Sequence, residues 1–349
     1  MKKVNVILTA ALTLFGLMAG CGGNASNSSN TRAQASDKTE TNAKAHGKTQ
    51  AVATSPEITM TFKAKSEVEI QLNCLRPATL DWGDGSPVET VKVVTYNERY
   101  KHNYAQPAEY TLHISGEVTY FWILGLDVSR LNLNVSTLKT FCCNSSKVTA
   151  LDVSQNPNLE ELHCSSNRIT ALDVSKNTKL KELDCDFNKI TALDVSKNTA
   201  LEKLHCFGNP LKTLDVSKNT ALQELKCYSN QLTSLDVSKN KALEHLTCGD
   251  NPLTSLDVSA NTMLKYLSCF ETPLTNLDLS TNTQLLGIDF NDNNLSAEAL
   301  NALYRSLHSK KGGDFKEKYI YTLSNPGTKA GNETIAKQKG WAVNKPQGD

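Results

Sequence analysis

From Leu151 to Leu277 the chain restarts every 21 residues with no insertion or deletion. The phrase is Leu-Asp-Val-Ser-x-Asn-x-x-Leu-x-x-Leu-x-Cys-x-x-Asn-x-Leu-x-x. It begins at Leu151, Leu172, Leu193, Leu214, Leu235, Leu256 and Leu277, and an earlier start at Leu126 carries four extra residues in the Arg130 to Asn134 region. A unit this short cannot bury its own apolar face, so neighbouring units must stack and share one core. A fixed period therefore means a solenoid.

Each unit contains a smaller rhyme. Leu162 and Cys164 alternate with polar residues, and so do Leu172 and Val174. A period of two points such side chains to one face of a strand. The expected coil is flattened, with two short parallel strands and roughly 4.8 Å between rungs. The Asn columns, Asn156 to Asn282 and Asn167 to Asn293, fall at the corners, where a buried amide can donate to and accept from stranded backbone groups. Thr272 interrupts the second column.

This phrase resembles the leucine-rich repeat, and its length and Cys most resemble the internalin-like and IRREKO-type bacterial classes. The resemblance covers about half the chain and implies a mostly β solenoid that works as a binding or adhesion module.

The ends of the chain are not repeat. Met1-Lys2-Lys3 is basic, Val4 to Leu17 is apolar but too short to span a bilayer, and Leu17-Met18-Ala19-Gly20-Cys21 closes the segment. It resembles a bacterial lipobox, with Met18 where Leu is usual. That implies cleavage before Cys21, acylation of Cys21, and a place in a bacterial cell envelope, at the outer membrane on its periplasmic side or its surface. Gly22 to Pro56 has almost no large apolar residue and reads as a disordered tether holding the folded part on the order of 30 Å from the membrane. No acidic run follows Cys21, which argues against export to the outer surface.

Residues 57–122 show short alternating stretches broken by turns, a small antiparallel β-domain. Asp81-Trp82-Gly83-Asp84-Gly85-Ser86, with Tyr104 and Tyr110-Thr111-Leu112 downstream, resembles PKD-like sandwiches, which serve as spacers or caps. A calcium loop here fails on spacing, because Gly83 and Gly85 hold the ligand positions. The solenoid is expected over 123–295 and a C-terminal αβ cap over 296–349: Ser296 as an N-cap, Leu300, Leu303, Tyr304 and Leu307 on one helix face, a last strand at Tyr319 to Thr322, and a short helix from Ile335 to Trp341.

The chain has ten cysteines. Seven, Cys143, Cys164, Cys185, Cys206, Cys227, Cys248 and Cys269, share one inward column in which Phe290 takes the next slot. A slot that accepts Phe is a packing slot, and parallel Cβ vectors suit disulfides poorly. Cys142 is expected to point outward as a reactive thiol, with Cys74 as a conceivable partner. The Asp column (Asp152, Asp173, Asp194, Asp215, Asp236, Asp257, Asp278) should face solvent, its repulsion offset by Lys176, Lys197, Lys218, Lys239 and neighbouring Ser hydroxyls.

Comparing rungs separates scaffold from recognition. The Leu-Asp-Val-Ser half scarcely varies, whereas the slots beside the Cys-bearing strand change at every rung. One runs His163, Asp184, His205, Lys226, Thr247, Ser268, Asp289; its neighbour runs Ser165, Asp186, Phe207, Tyr228, Gly249, Phe270, Asn291. Phe187 and Tyr266 add to that face. Grouped aromatics on a polar sheet mark a binding surface, so the candidate partner-binding residues are His163, Asp184, Phe187, His205, Phe207, Lys226, Tyr228, Tyr266 and Phe270. A metal shared by His163, Asp184 and His205 is disfavoured because alternate rungs lie roughly 9 to 10 Å apart. The sequence has no G-x-S-x-G, H-E-x-x-H or G-x-x-x-x-G-K motif, and a net charge of +1 gives no reason to expect nucleic acid. The reading is a monomeric, non-enzymatic, lipid-anchored module without cofactor, catalytic residue or metal, whose partner is a protein or a glycan. The alternative is a structural component of an envelope assembly.

Overall fold

The structure, a computed structural model, describes residues 56–94, 97–309 and 318–344. The signal segment, the lipobox cysteine Cys21 and the tether fall on residues outside these.

Alternation builds the first strands. Ile58, Met60, Phe62 and Ala64 of β1 (Glu57–Ala64), and Val68, Ile70, Leu72 and Cys74 of β2 (Glu67–Cys74), are buried while the residues between them are not. Six more strands follow: β3 (Ala78–Asp81), β4 (Glu89–Val91), β5 (Glu98–Asn103), β6 (Ala108–Ser115), β7 (Val118–Ile123) and β8 (Asp127–Asn134). One antiparallel sheet has the order β4-β3-β6-β1-β8, and β5-β2-β7 begin a second. The expected sandwich forms. In its Asp-Gly loop the Asp81 carboxylate accepts from Gly83 N, and Asp84 accepts from Ser86 N and meets His102 Nε2 at 2.7 Å. Both carboxylates close turns. Gly83 has a φ of 78°, and a Cβ there would lie 2.0 Å from Thr111 O, so only glycine fits.

The second sheet does not end with the sandwich. β7 runs parallel to β9 (Thr140–Cys142), with Phe121 opposite Phe141, and those two rings lie 5.7 Å apart. From there β10 (Glu161–His163), β11 (Glu182–Asp184), β12 (Lys203–His205), β13 (Glu224–Lys226), β14 (His245–Thr247), β15 (Tyr266–Ser268) and β16 (Gly287–Asp289) each pair in parallel with the strand one repeat earlier. Sandwich and solenoid thus share one 13-stranded sheet. β8, which reads in the sequence as the opening of an irregular first repeat, is hydrogen-bonded to β1 in the other sheet.

The expectation of two strands per coil is corrected to one. Leu172 and Val174 do turn inward and are buried, but the Leu-Asp-Val-Ser half forms no ladder. The chain folds into a turn as soon as it passes Val174: Ser175 N donates to Asp173 Oδ1 and Asn177 N to Val174 O. Two inward residues are too few for a strand between two corners.

Asn side chains hold those corners. In the first column Nδ2 of Asn198 donates to Val174 O and Asn177 O, both at 2.9 Å, and the pattern repeats from Asn156 to Asn282. Its Oδ1 atoms accept no bond among the described residues, so this column donates only, against the expectation that each amide does both. The second column does both. Asn188 Nδ2 donates to Cys164 O while its Oδ1 accepts from Ile169 N. At Thr272 the hydroxyl lies within hydrogen-bonding distance of Cys269 O and Asn293 Oδ1, and its one proton serves either acceptor.

The core between sheet and corners is a stack of Leu and Cys with almost no exposure. No disulfide joins any cysteine among the described residues. Burial pushes the column thiols up, to about 12 at Cys248. Cys142 requires a correction: it lies on the outer face as expected, but it is 1% exposed. The register places it between Trp122 and His163, whose larger side chains share its column.

At the far end Ser296 caps α1 (Ala297–Ser306) by accepting from Ala299 N, and Leu300, Leu303 and Tyr304 are buried. β17 (Lys318–Tyr321) pairs in parallel with β16, followed by α2 (Thr334–Gln338) and β18 (Trp341–Val343). The expected last strand is therefore next to last. Trp341, expected to close a helix, opens a further strand, with its indole donating to His308 O.

Two outcomes follow. Asn198→Ala leaves two buried carbonyls without their donor and lowers the unfolding free energy by about 2 to 4 kcal/mol in urea titration. Iodoacetamide at pH 8 labels neither Cys142 nor the column cysteines in the native protein and labels all of them in urea, as read by intact and peptide mass spectrometry.

Candidate functional site

Every solenoid strand is three residues long with its middle residue in the core, so its first and third residues face out. The residue two beyond each strand also faces out. These columns carry the differences between rungs. On β11 to β13 the long charged side chains satisfy one another: Lys203 Nζ meets Glu182 at 2.9 Å, while His205 Nε2 and Lys226 Nζ meet Glu224 at 3.0 and 2.6 Å. His205 and Lys226 together hold the Glu224 carboxyl well below the usual range, with the His205 bond the larger cause.

Beside this charged strip runs an aromatic one. Phe187 meets Phe207 edge to face at 4.9 Å, Phe207 stacks on Tyr228 at 4.1 Å and 13°, and Tyr228 meets Phe270 at 6.1 Å. Two glycines permit it. A Cβ on Gly208 would lie 2.7 Å from the Phe187 ring, and one on Gly249 would lie 2.6 Å from Phe270. Four rings from four coils therefore form one continuous track.

Phe187 stands apart. It is 53% exposed, and its backbone has a φ of 49° at a corner where the other coils place Ser166, Gly208, Ser229 and Asp250. A bulky residue in the left-handed region costs free energy, and exposing its ring gains nothing for folding. Phe207, Tyr228, Tyr266 and Phe270 are half-buried, as are Asp184, His205 and Lys226. His163 is 5% exposed and adds almost no surface; its ring lies 4.0 Å from Glu161. His163 and His205 thus turn to separate glutamates, and no His, Cys, Asp and Glu group able to hold a metal exists among the described residues.

One carboxyl was not legible as special. Asp186 is 5% exposed; its Oδ1 accepts from Phe207 N at 2.9 Å, fixing the backbone that carries the second ring. Burial first, and Asp184 beside it second, push its carboxyl up to about 10. The exposed Asp column differs: hydrogen bonds from the Ser two residues on hold Asp173, Asp194, Asp215 and Asp236 below their usual range, and the Lys charges contribute less. The sequence hinted at the glycine-aromatic pairs, since Gly208 and Gly249 fall in variable columns one coil from a ring. It hid Asp186, whose slot in other coils is outward.

Comparison with known proteins gives a family match within the repeats. Residues 157–198 match the family described as Leucine Rich repeats (2 copies). No curated protein matches the chain. Among solved structures, the functional domain of InlJ from Listeria monocytogenes, described as including a cysteine ladder, is 28% identical over 68% of this chain and 62% of that one, with a TM-score of 0.40. Internalin C2 from the same organism is 20% identical over 48% of this chain and 78% of its own, at 0.44. A leucine-rich-repeat protein of Leptospira interrogans is 16% identical over 60% and 84%, at 0.35. The chain spans less than two thirds of the InlJ chain. Its solenoid contains leucine-rich repeats.

Asp186 makes a pH prediction. A carboxyl raised in the folded state binds its proton more tightly there than when unfolded, so its contribution is complete below about pH 4 and is lost as pH rises toward about 10. Asp186→Asn keeps the acceptor for Phe207 N and cannot ionise. Its thermal midpoint should match the wild type at pH 4 and exceed it by a margin that grows through pH 6, 7 and 8.

Proposed function

We propose that this protein is a non-enzymatic, lipid-anchored envelope protein that binds a protein partner through the outward face of its solenoid sheet. The observation that carries the reading is the aromatic track from Phe187 to Phe270, with an exposed ring held on left-handed backbone. Five successive strands span roughly 19 Å at ordinary strand spacing. Aromatic anchors flanked by a charged strip, Glu182, Lys203, His205, Glu224 and Lys226, have the anatomy of a protein interface, with an apolar centre and a polar rim. Asp184 and Tyr266 extend the surface at its margins, and His163 lies beneath its edge. The lipobox ending at Cys21 supports anchoring in a bacterial envelope, and the absence of any catalytic motif in the sequence supports a binding role.

The test places the photo-crosslinking residue p-benzoylphenylalanine at Phe187 or Tyr228 in the full chain expressed in its own cells, with Asp194 on the exposed Asp column as the control position. Discrete crosslinked species from 187 and 228, lost when Phe207→Ser is added and missing from 194, are the expected result. Equal yields from all three positions, or none from 187 and 228, would overturn the reading and favour a structural component whose repeats supply length. Protease shaving of intact cells reads whether the face lies outside the outer membrane.

A further inference from the structure

Alongside the last part of the aromatic track, from β14 on, the strands' outward slots change character. On β11 to β13 the outward slots hold charged side chains, most of which pair with each other. From β14 to β16 they include Thr247, Ser268 and Gly287, and a hollow lies beside Thr247 and Ser268, lined also by Tyr266, Tyr319, Lys226 and Asp289.

The walls are built. His245, which also lines the hollow, stacks on Tyr266 with centroids 5.0 Å apart at 29° and braces that ring. Tyr319 comes from the cap, outside the repeat frame, and β17 pairs it with Gly287. A Cβ on Gly287 would lie 2.4 Å from the Tyr319 Cζ and Oη. The ring therefore lies down over the glycine, and Tyr321 supports it at 5.3 Å. The repeat supplies a glycine where the cap supplies a ring.

We propose that this hollow is a monosaccharide subsite that takes one neutral pyranose of a glycan. A pyranose has an apolar C–H face and a rim of hydroxyls, each able to donate and accept. The two Tyr rings offer electron-rich faces to the C–H side. Ser268 and Thr247 offer hydroxyls, and Asp289 offers a carboxylate that can accept from two sugar hydroxyls at once. Few polar groups converging between aromatic walls is the ordinary composition of a small-molecule site. Charge selects the neutral sugar. Asp289 is half-buried and has no cation partner among the described residues, and its one side-chain bond there accepts from Asn291 N at 3.2 Å. Lys226 is already occupied by Glu224 at 2.6 Å. Among the described residues, an acidic sugar would meet a carboxylate with no cation paired to it.

The hollow shares the coils of β13 and β15 with the aromatic track, but none of the four track rings lines it, so it stands whether or not that track binds protein. It is tested by saturation-transfer NMR on the purified full chain with the methyl pyranosides of glucose, galactose, mannose and N-acetylglucosamine, and with methyl glucuronide as the acidic probe. At least one neutral glycoside should receive saturation, concentrated on the ring protons of one face. Tyr266→Ser and Asp289→Asn should each reduce that signal at least fivefold, and Phe207→Ser should leave it unchanged. Asp289→Asn is nearly isosteric and decides the matter alone if Tyr266→Ser does not fold. Lack of transfer to every neutral glycoside, an unchanged signal in Asp289→Asn, or stronger transfer to the glucuronide would each overturn the assignment.

Discussion

The structure depends on one demand: each coil must turn two corners without leaving backbone carbonyls stranded in the core. A solenoid turn of 21 residues has only one strand to pair its backbone, so the corners need donors from side chains. Asn is short enough to fit inside the turn, and its amide reaches the preceding coil. The column from Asn156 to Asn282 spends both amide hydrogens this way, and the column from Asn167 to Asn293 also takes in a backbone N–H. Because every amide bonds to the coil before it, the register of one coil dictates the next. The 21-residue period is the sequence record of that dependence.

Such a stack has two open ends, and the chain closes them by different means. At the N-terminal end the sandwich lends a strand, β7, and the Phe121–Phe141 contact makes the two cores one. At the C-terminal end β17 and β18 continue the sheet without continuing the repeat, and α1 and α2 accompany them. Lys339 serves this end too, donating to the carbonyls of Arg305 in the last turn of α1 and of Leu307, its C-cap. Cationic groups at a helix C-terminus are favourable on both hydrogen-bonding and dipole grounds.

The legible parts of the fold were those written many times. The inward Leu and Cys, the corner Asn and the outward Asp each recur in one column, so a single chain supplies its own comparison. What was written once was harder to read. Cys142 sits in an outward slot, and alternation alone exposes it; only the register that sets Trp122 and His163 on either side shows it covered. Trp341 reads as the close of a short helix, and only β17 beside it makes it the start of a strand. The second strand of each coil was inferred from two alternating apolar residues, and the Asp-to-Ser turn that follows them ends it. Asp186 shares a column with Phe207 and Tyr228, yet ring neighbours on later coils bury it, a relation between coils that no single repeat displays.

The same contrast explains why the outward face could be found but not resolved. Variation across rungs marks where the scaffold makes no demand, and that much is visible in letters. Whether varied residues cooperate depends on side chains reaching across coils, and glycine decides this. Gly208, Gly249 and Gly287 each clear space for a ring from an adjacent coil, Phe187, Phe270 and Tyr319 respectively. None of these glycines serves the solenoid, because the same positions hold Phe187, Tyr228 and Tyr266 in other coils with the fold intact. Their common effect is to lay aromatic rings flat along the sheet. A sheet under selection for packing alone would gain as much from any side chain at those slots, so the three glycine-ring pairs are the strongest structural reason to regard this face as built for contact.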